Sequence, residues 1–211
     1  MAGLDELWII GDAHGKLEDY QHLTNQYSRT LQLGDFGFKK QYDWHLANID
    51  SINHQVLGGN HDYWSHYYQY PFTICSTYLD PEGNKHLGRF GEIQPTVFAV
   101  GGAFSIDAYH RIEGRSWFRN EQMSWKEANA CIELYTRLKP EFVISHDCPQ
   151  FFAEKHFDCR DRSVTRSVLN ELYDIHQPTE WIFGHWHRSL VENEGATTFR
   201  VLDELEAYQL L

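Results

Sequence analysis

Five short clusters of carboxylate, amide and imidazole side chains recur along this chain, each directly after an apolar run. The most informative is 58–62, which reads Gly-Gly-Asn-His-Asp, because two glycines turn the backbone sharply before three polar side chains follow without a gap. The other four are 11–15 (Gly-Asp-Ala-His-Gly), 34–35 (Gly-Asp), 145–147 (Ser-His-Asp) and 184–187 (Gly-His-Trp-His). Carboxylate and amide oxygens together with imidazole nitrogens are ligands for borderline first-row metals such as manganese, iron, zinc and nickel.

The spacing within the clusters favours one compact metal site. Asp12 and His14, like His185 and His187, stand two residues apart, so each pair can serve a single site. One such pair alone is more often structural, but five clusters together favour metal binding. A carboxylate shared between two ions can hold them about 3.5–4 Å apart, as two-metal hydrolytic sites require. The candidate ligands are Asp12, His14, Asp35, Asn60, His146, His185 and His187.

Each cluster terminates a predicted strand. Apolar runs at 7–10, 31–33, 53–57, 142–145 and 180–183 predict strands, and helical spacing predicts helices over 16–29 and 42–52. The repeated order of strand, polar loop and helix indicates β-α-β units and a mainly parallel sheet. Since ligand sites in open α/β sheets lie at the carboxyl ends of the strands, the five clusters are expected to meet at one edge.

The remaining segments predict fewer features with a chemical role. The aromatic-rich segment 63–80 has no clear period and predicts irregular structure with room for a short helix, followed by strands over 85–93 and 97–100. A long loop covers 105–121, and loops of this length in compact domains are often functional. Ser124 and Glu127 form a capping box that begins a helix reaching about residue 139, before a helix over 163–176 and a hairpin over 190–202. With no linker, repeat or low-complexity segment, 1–211 is predicted to form a single domain.

Bulk composition narrows the function classes. The 211 residues carry a net charge of −12, which opposes a general nucleic-acid binder because such proteins usually present a basic surface. No apolar run approaches the ~18 residues of a membrane span, and the N-terminus lacks the basic region of a signal peptide. The four cysteines form no Cys-x-x-Cys pair and are expected to be reduced. These features predict a cytoplasmic protein with no membrane partner and no obligate nucleic acid.

In this order, the five clusters resemble the signature blocks of the calcineurin-like metallophosphoesterases. The resemblance spans nearly the whole chain, and the run Gly-Gly-Ala-Phe-Ser at 101–105 followed by Asp107 is similar to a segment of small single-domain prokaryotic and viral members. It implies an α/β, four-layer fold in which two β-sheets form a sandwich flanked by helices. It also implies a dinuclear metal site at the carboxyl ends of the strands.

The resemblance further implies a role for each candidate residue. Asp12, His14 and His187 would bind the first metal, and Asn60, His146 and His185 the second, with Asp35 bridging and His61 beside the scissile phosphate as the catalytic proton donor. The cofactors would be two divalent ions, manganese first, with iron, zinc or nickel as alternatives. The implied reaction is the hydrolysis of small phosphodiesters and phosphomonoesters by a metal-bridging hydroxide.

The second block departs from the pattern of the protein phosphatases of this family. Those members carry Gly-Asp-x-x-Asp-Arg-Gly, whereas 34–40 here reads Gly-Asp-Phe-Gly-Phe-Lys-Lys, without the second aspartate and the arginine. Activity on phosphoproteins is therefore not expected, and the group that orients His61 is left open. Asp62 and Asp147 are expected to be structural or to accept hydrogen bonds from the ligand histidines.

The loop 105–121 contains three arginines at four-residue intervals, Arg111, Arg115 and Arg119. They would form a solvated stripe on a helix, or they would clamp substrate phosphate, which Arg matches with two hydrogen bonds. Two alternatives to a small-substrate phosphoesterase remain. A nuclease of the same superfamily would show a basic groove, and a non-catalytic binding module would lack some of the ligands.

Overall fold

Two β-sheets stack face to face between outer layers of helix in the computed structural model, which describes residues 6–37 and 49–210. In chain order the strands are β1 (Leu7–Ile10), β2 (Thr30–Gln32), β3 (His54–Val56), β4 (Ser76–Leu79), β5 (Lys85–Gly88), β6 (Phe90–Gln94), β7 (Val97–Val100), β8 (Phe142–Ser145), β9 (Glu180–Phe183), β10 (Leu190–Glu194), β11 (Thr197–Val201) and β12 (Ala207–Leu210). The helices are α1 (Leu17–Thr24), α2 (Trp64–Tyr67), α3 (Trp125–Leu138), α4 (Gln150–Phe157) and α5 (Val164–Ile175), with a 3₁₀ turn at Ala108–His110.

The strand order places all five polar clusters on parallel strands. The first sheet has the order β12-β1-β2-β3, in which β1, β2 and β3 are parallel and β12 is antiparallel to β1. The second has the order β10-β11-β9-β8-β7-β6, with β7, β8, β9 and β11 parallel. Strands β4 and β5 form a separate hairpin.

Alternation of side chains along the strands divides the core into three layers. Leu7 and Ile9 of β1 pack against Ile144 of β8 and Ile182 of β9 between the two sheets, all of them fully buried. Ile10 faces the opposite side and packs in the layer that contains α1 and α2. On the outer face of the second sheet, the buried layer lies beneath α3, α4 and α5. Both sheets are therefore buried on two faces, which makes the strand ends a rigid base for the loops.

The predicted fold class is confirmed: the architecture is mixed α/β, with sheets flanked by helices. The strands predicted at 7–10, 97–100, 142–145 and 180–183 match β1, β7, β8 and β9, and the 190–202 hairpin is β10 and β11. The predicted helix over 124–139 is also present, since the Ser124 side chain accepts a hydrogen bond from the Glu127 amide at the start of α3.

Several predicted boundaries are wrong. The single strand predicted over 85–93 is two strands in different sheets, because β5 pairs with β4 whereas β6 pairs with β7. Helix α1 ends at Thr24, short of the predicted residue 29. Strands β4 and β12 and helix α4 were not anticipated. The predicted helix 42–52 lies mostly outside the described residues, and 49–53 form a bend and a turn.

Within residues 6–37 and 49–210, no helix combines the length and apolar character needed to cross a membrane.

Candidate metal centre

The side chains predicted as ligands converge where the two sheets meet. Asp12 and His14 follow β1, Asp35 follows β2, Asn60 follows β3, His146 follows β8, and His185 and His187 follow β9. Because these strands are parallel within their sheets, the loops after them emerge on the same side. Segments far apart in the chain are thereby brought into contact.

The first group of potential ligand atoms comes from Asp12, His14, Asp35 and His187, all within 4.8 Å of one another. The Nε2 atoms of His14 and His187 are 2.8 Å apart. Asp12 Oδ2 lies 3.4 Å from His187 Nε2, and Asp35 Oδ2 lies 3.8 Å from His14 Nε2. Two imidazoles and two carboxylates suit a borderline divalent metal.

The second group is formed by Asp35, His146 and His185, also within 4.8 Å. His146 Nε2 lies 3.5 Å from Asp35 Oδ1 and 3.1 Å from the amide oxygen of Asn60. Asp35 thus belongs to both groups, with one carboxylate oxygen toward each. This is the arrangement expected of a carboxylate between two neighbouring ions.

Hydrogen bonds around the second group turn acceptor atoms toward each other. His146 Nδ1 donates to the Leu33 carbonyl at 2.9 Å, so Nε2 carries the lone pair that faces Asn60. Asn60 Nδ2 donates to Ser105 Oγ at 3.0 Å, which points its amide oxygen back at His146. Two acceptors 3.1 Å apart repel unless a cation lies against both, either a metal ion or a proton on Nε2, since burial is outweighed by the carboxylates of Asp35 and Asp12, which raise the pKa of His146. The residues present therefore fit a metal ion.

Buried carboxylate oxygens give the same indication. Asp12 Oδ1 and Asp35 Oδ2 are buried and have no hydrogen-bond partner among the described residues. Burial raises the pKa of Asp35 to about 7, with the nearby carboxylates of Asp12 and Asp62 acting in the same direction against His146. Burial acts likewise on Asp12, but the surrounding histidines outweigh it and hold the pKa of Asp12 below its ordinary value. Buried charges of this kind are normally paired or bound to metals.

The backbone at four of the candidate ligands is strained. His14, Asp35, His185 and His187 have φ values of 46°, 49°, 66° and 45°, in the left-handed region that non-glycine residues rarely adopt. Such conformations cost on the order of 1–3 kcal/mol each and cluster at functional sites. In the sequence, this strain has no direct signature beyond the glycine next to each of His14, Asp35 and His185, and His187 has none.

Two glycines are required by close approach at the site. A Cβ on Gly59 would overlap both the side chain and the backbone nitrogen of Asp35. Gly34 has a φ of 117°, and a Cβ there would press on the His146 ring. The glycines before Asp35 and Asn60 therefore let the loops after β2 and β3 pack against each other.

His61 lies beside the site with one ring nitrogen toward it. Its backbone N–H donates to Asp35 Oδ1 at 2.7 Å, and its Nε2 is 3.9 Å from Asp35 Oδ2. At the other ring nitrogen, Arg111 Nη1 donates to Nδ1 at 2.8 Å. Burial, Arg111 and the neighbouring histidines lower the pKa of His61 to about 3, so its ring is neutral at physiological pH.

The three predicted arginines are separated by the structure. The helical structure in the loop 105–121 is limited to the 3₁₀ turn Ala108–His110, so the arginines share no helical face. Arg111 reaches His61. Arg115 is exposed, and Arg119 is paired with Glu113 with its side chain 79% exposed.

Asp62 and Asp147 hold the loops that carry the candidate ligands in place through hydrogen bonds. Asp62 accepts hydrogen bonds from the backbone N–H groups of Phe36, Gly37 and Gly59, which ties the loop after β2 to the loop after β3. Asp147 accepts from the Cys148 amide and from Arg166 Nε at 2.7 Å. These contacts hold the segments that carry Asp35, Asn60 and His146.

A third supporting carboxylate was not anticipated. Glu121 is 1% exposed and accepts hydrogen bonds from both the backbone N–H and the hydroxyl of Ser105, at 2.7 and 2.8 Å. Ser105 in turn accepts from Asn60, so this chain of contacts sets the orientation of the Asn60 amide. Its only sequence signal was the position of Ser105 shortly after β7 and of Glu121 at the end of the long loop.

The Asp147–Arg166 pair is expected to contribute strongly to stability. Both side chains are 0% exposed, so Arg166→Met leaves an uncompensated buried carboxylate. We expect the free energy of unfolding to fall by about 3–5 kcal/mol. Urea denaturation measures this change, with exposed Arg160→Met as the control. Adding Asp147→Asn to the Arg166→Met variant should recover part of the loss. No change in Arg166→Met would contradict the assignment.

The chain belongs to the calcineurin-like phosphoesterase family, whose family model matches residues 6–189. Members of this family hydrolyse phosphoester bonds and depend on two metal ions. The prediction of the family from the five clusters is therefore confirmed. The comparison with curated proteins finds no match to this sequence.

Solved structures with the same fold include three with different named activities. A dimetal phosphatase from Danio rerio is 12% identical, with a TM-score of 0.53 over 95% of this chain and 87% of that one. A putative 5'-nucleotidase from Staphylococcus aureus is 12% identical, with a TM-score of 0.51 over 97% of this chain and 50% of that one. The phosphopantetheinyl hydrolase of Mycobacterium tuberculosis is 11% identical, with a TM-score of 0.50 over 94% and 89%. At these identities the similarity concerns the fold alone.

Proposed function

We propose that this chain hydrolyses small phosphoesters at a dinuclear metal centre. The observation that carries the proposal is the sharing of Asp35 by two groups of ligand atoms. In this assignment Asp35 would be shared by the two ions. Asp12, His14 and His187 would hold one ion, and Asn60, His146 and His185 would hold the other.

Manganese is the proposed metal, and iron, zinc or nickel suits the same ligand set. When bound, two divalent cations supply a hydroxide nucleophile near neutral pH and neutralise charge on the phosphate. The protein's contribution is to hold the ligands in place before substrate arrives. The hydrogen bond from His146 Nδ1 to Leu33 and the bond from Asn60 to Ser105 do this by fixing which ring nitrogen and which amide atom face the site.

His61 is the proposed donor to the leaving oxygen. Its ring is held beside Asp35 by the backbone hydrogen bond from its own N–H, and its Nε2 faces the site. A donor there would stabilise negative charge on the leaving group as the ester bond breaks. The nitrogen is close to the candidate ligands without being one of them in this assignment.

The charges around the site favour diesters at least as much as monoesters. Arg111 and Lys16 are cations beside the site, and each is paired with a carboxylate, Arg111 with Asp107 and Lys16 with Glu204. A monoester dianion is attracted most strongly by positive charge that is not already neutralised by a carboxylate. These two cations are each paired, so they attract it only weakly. The net charge of −12 also repels polyanions at long range, which opposes a nucleic-acid substrate.

The names of the three solved structures do not select one substrate. They refer to a dimetal phosphatase, a putative 5'-nucleotidase and a phosphopantetheinyl hydrolase. A screen that varies the ester with the metal held constant is therefore the informative experiment.

We expect kcat/KM with manganese to be at least as high for bis-p-nitrophenyl phosphate as for p-nitrophenyl phosphate, and lowest for a phosphoserine peptide. The reason is that, apart from the proposed metal ions, Arg111 and Lys16 are already paired with carboxylates, so these two cations add little attraction for a second phosphate charge. The measurement is steady-state kinetics of all three substrates under one metal condition, repeated with nickel and zinc. A preference for the phosphopeptide would overturn the proposed substrate class.

A further inference from the structure

The contact between Arg111 and His61 links the long loop to the site. Arg111 belongs to the loop 105–121, fifty residues from His61 in sequence, yet its Nη1 lies 2.8 Å from His61 Nδ1. The Arg111 side chain is 19% exposed, so the contact is largely shielded from solvent. It occurs at the ring nitrogen that faces away from Asp35.

The donor in this hydrogen bond can only be the guanidinium. Arginine has N–H groups and no acceptor, so His61 Nδ1 must accept and cannot carry a proton. The single proton of the neutral ring is therefore on Nε2, which is the nitrogen 3.9 Å from Asp35 Oδ2. Arg111 thus selects the tautomer that presents an N–H to the site.

Other contacts hold the guanidinium in place. Arg111 Nε donates to Asp107 Oδ1 at 2.6 Å, and Nη1 uses its second hydrogen to donate to the Ser116 carbonyl at 3.1 Å. The N–H groups of Nε and Nη1 are thereby all engaged within the protein. With these atoms occupied, Arg111 is poorly placed to form the bidentate contact with substrate phosphate that the sequence suggested for it.

We propose that Arg111 is a positioning residue that, held by Asp107 and Ser116, keeps the His61 proton on Nε2 and the ring in register with the site. This inference rests on the proposed function of His61 as the donor to the leaving group. The segment after Asp35 lacks the aspartate and arginine of the protein phosphatases, so the group that orients His61 was not evident from the sequence. Arg111 is that group in this proposal, and it contacts the ring nitrogen on the side away from Asp35.

The tautomer can be measured directly, independently of activity. In zinc-loaded protein with ¹⁵N-labelled histidine, the His61 resonances, identified by their loss in His61→Gln, should show protonated Nε2 and unprotonated Nδ1. In Arg111→Met, the Nδ1–H form should appear alongside the Nε2–H form. A wild-type ring protonated on Nδ1 would overturn the proposal, whether or not the protein hydrolyses any ester tested.

Kinetics separate positioning from substrate binding. With diphenyl phosphate, whose leaving group needs a donor, Arg111→Met should lower kcat at least about tenfold with little change in KM. The loss should be smaller with bis-p-nitrophenyl phosphate. Arg111→Lys, which can still donate to Nδ1, should recover much of the activity, and Asp107→Asn should cause a smaller loss of the same kind. Exposed Arg160→Met is the control for removal of a positive charge.

The double variant gives the decisive comparison. If Arg111 acts through His61, Arg111→Met should have no further effect on kcat in a His61→Ala background. An equal loss in both backgrounds, or a rise in KM at constant kcat, would show that Arg111 binds substrate and would overturn the proposal. If wild-type protein hydrolyses neither ester, the proposed function fails and the tautomer measurement alone decides the role of Arg111.

Discussion

Replacement of Asp35 by asparagine is expected to remove both metal ions and to abolish most of the activity. One oxygen of Asp35 faces His146 and the other faces His14, so the carboxylate serves both ligand groups. The amide keeps the shape but loses the charge and offers only one oxygen. Mutation of a residue that only hydrogen-bonds to a metal ligand typically lowers metal affinity by up to about 100-fold. Because Asp35 is itself a candidate ligand in both groups, we expect the loss in Asp35→Asn to be larger than this.

Metal analysis after reconstitution with manganese, combined with kcat/KM for bis-p-nitrophenyl phosphate, measures this effect. His187→Asn is the internal comparison, because His187 belongs to one group only and its loss should spare the second ion. Glu133→Gln, on the exposed face of α3, controls for removal of one negative charge. Two ions retained in Asp35→Asn, at wild-type affinity, would contradict a shared carboxylate.

The candidate ligands could be predicted from the sequence because their signals are local. Each follows an apolar run within a few residues, and parallel pairing brings the ends of such runs to one edge. Asp12 and His14 illustrate this, since β1 is recognisable as four consecutive apolar residues with a glycine directly after it. The same reasoning located His185 and His187 after β9.

The supporting contacts could not be predicted, because each joins two residues that are far apart in the sequence and no local sequence pattern indicates the partner. Glu121 reaches Ser105 across 16 positions, and Arg111 reaches His61 across 50. The break between β5 and β6 coincides with another contact of this kind. Arg89 lies between the two strands and is 4% exposed, and Glu127 of α3, 38 positions away, accepts hydrogen bonds from its backbone N–H and its Nε. In sequence, an arginine within an otherwise regular run gives no sign of such a partner.

His61→Ala is expected to retain both metal ions while kcat falls by about 10²–10³-fold, the usual cost of removing one hydrogen-bond donor to developing negative charge, because the neutral ring offers its Nε2–H as a hydrogen bond. The ions should stay because the contact between residue 61 and Asp35 Oδ1 comes from the backbone N–H, which alanine also provides. In the proposed role, the imidazole is the part that would face the leaving group. Removing it should therefore change the reaction rate and leave the ligand groups in place.

The dependence on leaving group makes this prediction specific. The loss in His61→Ala should be large with diphenyl phosphate and smaller with bis-p-nitrophenyl phosphate, because p-nitrophenolate leaves without needing a donor. Parallel metal analysis shows whether the centre is intact, and His22→Ala, on the surface helix α1, controls for the loss of an imidazole elsewhere. If the metal content falls in step with activity, His61 is itself a ligand or a structural support. An equal loss with both esters would likewise exclude the imidazole as the donor to the leaving oxygen.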